Sequence, residues 1–245
     1  MKIPTIHGLI DRRILVNYRV DAAVMGRVLP PPFRPKTVRG WAMGGICLIR
    51  LKHIRPRFVP FPWGLRSENA AHRIAVEWDV DGATRQGVYI PRRDTDSRLS
   101  IWVGGHLFPG QHHRARFEVE ESADRLDVAL CSDDGDTRVR VRGHRVENFP
   151  SGSVFASLAE ASAFFEAGSL GYSATATEGR YDGLELRCQH WQVAPLAVEA
   201  VASSYFEDAA RFPAGSVHFD GALLMRGIAH EWHGRADLCC GGNAA

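Results

Sequence analysis

"AHRIAVEWDVDGATRQGVYIP", residues 71–91, decides the fold. It reads as two strands joined at Asp81-Gly82, a pair suited to the two-residue turn whose twist matches antiparallel strands. Working outward, "RILVNYRV" (13–20) is rich in β-branched and aromatic residues and predicts a further strand. "DAAVMGRVL" (21–29) then predicts a short helix with Asp21 as its N-cap. Pro30, Pro31 and Pro32 stop that helix, because proline lacks the amide donor and disfavours helical geometry in the residue before it. "GWAMGGICLIRLKHI" (40–54) is a long strand whose glycines mark bulges or the close approach of another backbone. A proline-rich loop, "RPRFVPFPWG", follows.

Downstream, "RARFEVE", "RLDVALC" and "TRVRVRGHRV" predict three more strands. In the last, Arg138, Arg140 and Arg142 share one face. Such a stripe could bind phosphate, but Glu118, Glu120 and Asp127 on neighbouring strands offer cross-strand partners, so it reads as a solvated sheet face. "SLAEASAFFEAG" is the clearest helix: Ser157 and Glu160 have capping-box spacing, Gly168 stands at its end, and Leu158, Ala161 and Phe165 form a buried stripe. Strand-like segments resume in "YDGLELRCQHW", "LAVEAVASSYF" and "GALLMRGIAHEWH". Without the alternating strand-helix rhythm of a parallel sheet, the expected class is α+β, mostly antiparallel β with two or three short helices, in a barrel or a curved sheet wrapped on itself.

The length of 245 residues and 45% hydrophobic content allow one large core, so residues 1–235 are expected to form a single domain and 236–245 a disordered tail. Lys and Arg number 30 against 28 Asp and Glu, so no global charge draws the chain to nucleic acid or membrane. The only lysines are Lys2, Lys36 and Lys52. No run approaches the roughly 20 apolar residues of a spanning helix, and no signal peptide is apparent, which leads to the expectation of a cytoplasmic protein. Five cysteines without CxxC spacing suit reduced thiols.

Candidate chemistry centres on "VGGHLFPGQHHRARF" (103–117), with His106, His112 and His113 around a glycine- and proline-rich bend. Adjacent histidines on an extended segment point to opposite faces, which weakens a metal-site reading. "HEWH" (230–233) has a spacing of three in a strand context, not the helical spacing of four that a zincin needs. No metal site is expected. A G-x-S-x-G elbow, a P-loop and a strand-linked G-x-G-x-x-G are all missing. What remains is a set of charged residues in apolar strand contexts: Arg19, Glu68, His72 and Arg73, beside those histidines.

These residues carry a family resemblance. "VNYRVDAAVMGRVLPPPF" resembles the early strand and short helix of the acetoacetate decarboxylase superfamily, with Arg19 at its arginine position. "RSENAAHRIAVEW" is similar to the segment that carries the superfamily's active-site glutamate, at Glu68. "GGHLFPGQHHRARFEV" resembles the turn leading into the decarboxylase's paired lysines, and the stretch from Ser157 to Leu196 resembles an uncharacterised YqjF-like bacterial branch. The likeness covers roughly residues 10 to 210. It implies an acetoacetate-decarboxylase-like β-barrel and a pocket for a small anionic or carbonyl ligand. Where the decarboxylase places its imine-forming lysine, this chain has Gln111, His112 and His113.

Two functions follow from the resemblance. One is a lyase-like enzyme using acid-base chemistry without a Schiff-base lysine or cofactor; Glu68, His106, His112 and His113 would be catalytic, and Arg19 and Arg73 would bind substrate. The other is a non-catalytic binding protein for an anionic ligand. Nucleic acid and membrane are not expected partners, and a homo-oligomer is left open.

Overall fold

The computed structural model describes residues 5–60, 64–98 and 110–239. Strand β1 (Ile6–Asp21) runs into helix α1 (Ala22–Val28), which Asp21 caps by accepting from the Val24 amide at 2.9 Å. Two short strands, β2 (Arg34–Pro35) and β3 (Thr37–Val38), precede the long β4 (Trp41–Pro56) and β5 (Leu65–Val80). The Asp81-Gly82 turn joins β5 to β6 (Ala83–Thr95); both turn residues have positive φ, 51° and 74°, as a primed hairpin turn requires. After it come β7 (His112–Glu121), β8 (Arg125–Ser132) and β9 (Arg138–Arg145). Helix α2 (Leu158–Ala167) leads to β10 (Leu170–Ala174), β11 (Arg180–Cys188), β12 (Ala194–Ser203) and β13 (Val217–Cys239).

The α2 cap differs in detail from a capping box. Ser157 accepts from the Glu160 amide as expected, but the Glu160 carboxylate reaches the Ala156 amide and Arg39 instead of turning back to Ser157. Ala161 and Phe165 are buried, with Leu158 packed beside them.

The strands form one mixed sheet, antiparallel except that β6 pairs in parallel with β7 and with β10. The path closes on itself twice. A long ring runs from β6 through β7, β8, β9, β12, β13, β1, β4 and β5 back to β6. A shorter ring shares β13, β1, β4, β5 and β6 and closes through β10 and β11. Strand β13 pairs β11 as far as Cys239, which lies opposite Arg180.

The shared strands have two buried faces. Ile14, Val16, Ile46, Leu48, Ile74 and Val76 point into the long ring, where they pack with Val128, Val141 and Leu196. Leu15, Cys47, Ile49 and Ala75 point the other way, toward α2, with Phe155 and Phe165. The paired glycines of β4 serve both sides. A Cβ on Gly44 would lie 2.8 Å from the Phe206 ring, and one on Gly45 would lie 2.3 Å from the Val16 carbonyl oxygen and 3.2 Å from the Arg73 guanidinium. The basic stripe of β9 is exposed, and Asp127 takes Arg140 at 2.9 Å and Arg142 at 2.7 Å.

A buried ion-pair network sits at one end of the shared strands. Fully buried Arg12 donates to Glu68 at 2.6 Å and to Glu121 at 3.2 Å, while Arg50 also engages both carboxylates and Arg226 closes on Glu121. Burial alone would raise the Glu121 carboxyl, but Arg226, Arg12 and Arg50 hold it below its ordinary value of 4.5. A carboxyl depressed in the folded state contributes stability that is complete above 4.5 and lost as pH falls toward the folded value. Glu121→Gln is therefore expected to flatten the acid limb of a stability-against-pH profile below 4.5. Glu68→Gln leaves Arg12 buried with half its compensation, and urea titration should record a loss of about 3–5 kcal/mol.

Candidate functional site

The shorter ring encloses a cavity, and each of its strands supplies part of the wall: Arg13 from β1, Cys47 from β4, Arg73 from β5, Arg93 from β6, Gly171 from β10, Leu184 from β11 and Trp232 from β13. Two further lobes adjoin it, one sharing Arg93, Leu184 and Trp232 and the other sharing Arg13, Arg73 and Phe165. Helix α2 closes one side with Phe164 and Phe165, and Trp191 adds another aromatic wall. The surroundings are mostly apolar, with a few polar groups converging, which is the usual make-up of a small-molecule site.

Register explains the convergence. Gly45 lies opposite Arg73, Cys47 opposite Ala71, and Ala71 opposite Arg93, so their side chains share one face of adjacent strands. Strand β7 joins in parallel, with Arg93 beside His112, and His112 lines the lobe that also holds Ser67 and Asn69.

The electrostatics of the cavity are one-sided. Among the described residues, Arg13, Arg73 and Arg93 have no carboxylate within ion-pair distance. Arg73 is 5% exposed; one terminal nitrogen donates to the Asn17 side chain at 2.5 Å, and its Nε has no hydrogen-bond partner. Its guanidinium carbon lies 4.7 Å from the centre of the Phe165 ring. Arg93 donates to Ser173 at 3.0 Å, and Arg13 donates through Nε to Cys47 Sγ at 2.9 Å while its Nη1 is buried without a partner. Burial pushes Arg73 and Arg93 down to about 10, against an opposing pull from Cys47 in both cases and from the Asp182 carboxylate on Arg93, and both remain cationic at neutral pH. Lys36 lines the α2 lobe with its ammonium 4.5 Å from the Phe164 ring centre, and burial lowers it against the pull of Glu77.

The residues singled out in the sequence divide sharply. Arg73 and His112 line the cavity. His113, one residue on, faces away and lies 3.0 Å from Asp134. His106 lies outside the described residues. Glu68 is not brought to the cavity: it sits between Ser67 and Asn69, both lining residues, and its side chain points to the opposite face, where both carboxylate oxygens accept from Arg12 and Arg50. A carboxylate so occupied is badly placed as a base.

Arg19 is likewise elsewhere, donating to the Gly152 carbonyl at 2.7 Å and to Asp220 at 3.3 Å. His72 is buried between Tyr205 and Phe206 on the long-ring side and is pushed down to about 3 by burial, with Arg92 and Arg211 adding to the shift. In "HEWH", His230 is buried while His233 pairs with Glu231 at 2.8 Å. Among the described residues, no group of three or more His, Cys, Asp or Glu is placed to hold a metal ion.

Arg13, Arg93 and Cys47 were not singled out from the sequence as site residues. Each stands in a strand, flanked by residues that face the other way, and only register puts them beside Arg73. A depression on the far side of β6, lined by Arg92, Tyr205 and Arg211, offers a useful contrast: Arg92 pairs with Asp94 at 2.9 Å and Asp134 at 2.8 Å, and Arg211 with Asp208 at 3.6 Å. Its cations are held in ion pairs; among the described residues, Arg13, Arg73 and Arg93 are not.

This architecture is similar to that of acetoacetate-decarboxylase-like proteins. The chain aligns with acetoacetate decarboxylase from Legionella pneumophila at TM-score 0.61 and 11% identity, covering 99% of this chain and 90% of the other. An acetoacetate decarboxylase-like enzyme from Sphingomonas wittichii RW1 gives TM-score 0.58 at 11% identity, with 98% and 94% covered. The enduracididine biosynthesis enzyme MppR complexed with pyruvate gives 0.56 at 14%, with 98% and 91% covered. At these identities the likeness establishes the fold. No curated protein matches the chain. Residues 10–221 match one family throughout, and the chain belongs to DUF2071, the uncharacterized conserved protein family COG2071.

Proposed function

We propose that the cavity of the shorter ring binds a small organic anion, a carboxylate bearing a nearby carbonyl group, and that the protein is an enzyme acting on it by acid-base chemistry. The observation that carries this reading is the charge imbalance: Arg13, Arg73 and Arg93 line one largely apolar cavity, and among the described residues none of the three has a carboxylate within ion-pair distance. A buried cation without a counter-charge costs several kcal/mol, and an anionic ligand removes that cost. Guanidinium groups also match a carboxylate's geometry. Pyruvate bound to MppR, a protein of the same fold, adds support for a ligand of this size and chemistry.

In the catalytic role, Arg73 and Arg93 hold the carboxylate, and His112 transfers the proton. The reading uses no cofactor and no lysine imine. A cytoplasmic setting is part of it, in keeping with the free thiols. The second reading, a non-catalytic receptor for the same anion, is favoured by the engagement of Glu68 on the other face, which leaves the cavity without that carboxylate base.

Thermal unfolding with pyruvate tests the shared claim. A hundredfold excess over Kd should stabilise the wild type by about 2.7 kcal/mol. Arg73→Met should fold with unchanged or greater ligand-free stability and lose that response; a retained response in both Arg73→Met and Arg93→Met would sink the anion site. The two readings separate on His112→Ala, which should lower turnover of a screened 2-oxo or 3-oxo acid by about 100-fold or more if the protein is an enzyme. Turnover unaffected by that change would remove His112 from the mechanism.

A further inference from the structure

Cys47 lies in the middle of β4, with Leu15 opposite on β1 and Ala71 opposite on β5, and it faces the cavity. Its sulfur accepts from Arg13 Nε at 2.9 Å. An independent feature of the same cavity points to a ligand beside it: Arg73 is 5% exposed, lines the same wall, and has a buried Nε without an acceptor. A buried donor of this kind needs a ligand or solvent atom to satisfy it. Cys47 is thus a thiol among cations, in a chamber shaped for an anion. The other described cysteines differ: Cys131 and Cys239 are exposed, and burial pushes the Cys188 thiol up.

We propose that Cys47 is a nucleophile of this cavity, adding through sulfur to the carbonyl carbon of a 2-oxo carboxylate held on Arg73 and Arg93 to form a reversible thiohemiketal. The proposal rests on the anion-binding reading and deepens it by naming the substrate class and a covalent step. In that step a sulfur electron pair forms the S–C bond and the C=O π pair moves onto oxygen. The thiol proton ends on that oxygen, so S–H adds across C=O with no oxidant, reductant or leaving group. The arginines assist by stabilising the alkoxide that develops on the carbonyl oxygen. Arg13 is a positioning residue that aims the sulfur, while Arg73 and Arg93 set the distance to the carbonyl by fixing the carboxylate.

The test combines a carbon-13 signal with alkylation of the intact protein. With pyruvate labelled at C2, the wild type is expected to show a bound resonance in the sp³ region that Cys47→Ser lacks. Peptide mapping should find iodoacetate modifying Cys47 about ten-fold faster than neutral iodoacetamide, the reverse of the preference of a solvent thiol, with pyruvate suppressing the reaction. Arg13→Gln, measured at saturating pyruvate, should lose most of the covalent signal. A wild type that gains thermal stability with pyruvate but gives no Cys47-dependent sp³ resonance overturns the proposal and leaves the anion site standing. A wild type with neither response overturns both.

Discussion

A β-strand turns successive side chains to opposite faces of its sheet, and in this protein both faces of the shared strands are buried. Everything particular to the site depends on that constraint. Arg12 and Arg13 are neighbours in β1, yet Arg12 enters a network of carboxylates and Arg13 enters the cavity, where its Nε donates to the Cys47 sulfur. His72 and Arg73 divide in the same way on β5, the first into an aromatic core and the second into the cavity. His112 and His113 divide on β7.

The consequence is two classes of buried arginine. Those around Glu68 and Glu121 are compensated and hold strands together; an ionised carboxylate receiving two guanidinium groups is a structural element. Those of the cavity are held by neutral groups, the Asn17 amide, the Ser173 hydroxyl and the Cys47 sulfur, and by the faces of Phe165 and Trp191. Such contacts orient a guanidinium without neutralising it. The charge stays available for a ligand, and the low polarity of the walls strengthens its reach.

Gly45 shows how closely the site is built into the sheet. The Arg73 guanidinium lies against this residue of the adjacent strand, where a Cβ would crowd it and would also run into the Val16 carbonyl. Glycines in a strand of this length signal a close approach, but they do not say from which face or by what. Here a phenylalanine ring takes one side at Gly44 and an arginine takes the other at Gly45.

The sequence by itself determined the local elements. The Asp81-Gly82 hairpin, the Asp21 and Ser157 caps, the Glu160-bearing helix and the alternating basic stripe of β9 follow from turn chemistry, capping and period two, which act over a few residues. It also conveyed the family's fold, through diffuse motifs, and singled out Arg73 and His112, which line the cavity. It did not determine that Glu68 and Arg19 would be spent on Arg12, Arg50 and Asp220, nor that Arg13, Arg93 and Cys47 would gather around Arg73. Those outcomes belong to register and ring closure between strands far apart in the chain. A one-residue slip in either would exchange the buried faces, so only the tertiary structure decides which charges meet a partner and which are left facing the cavity.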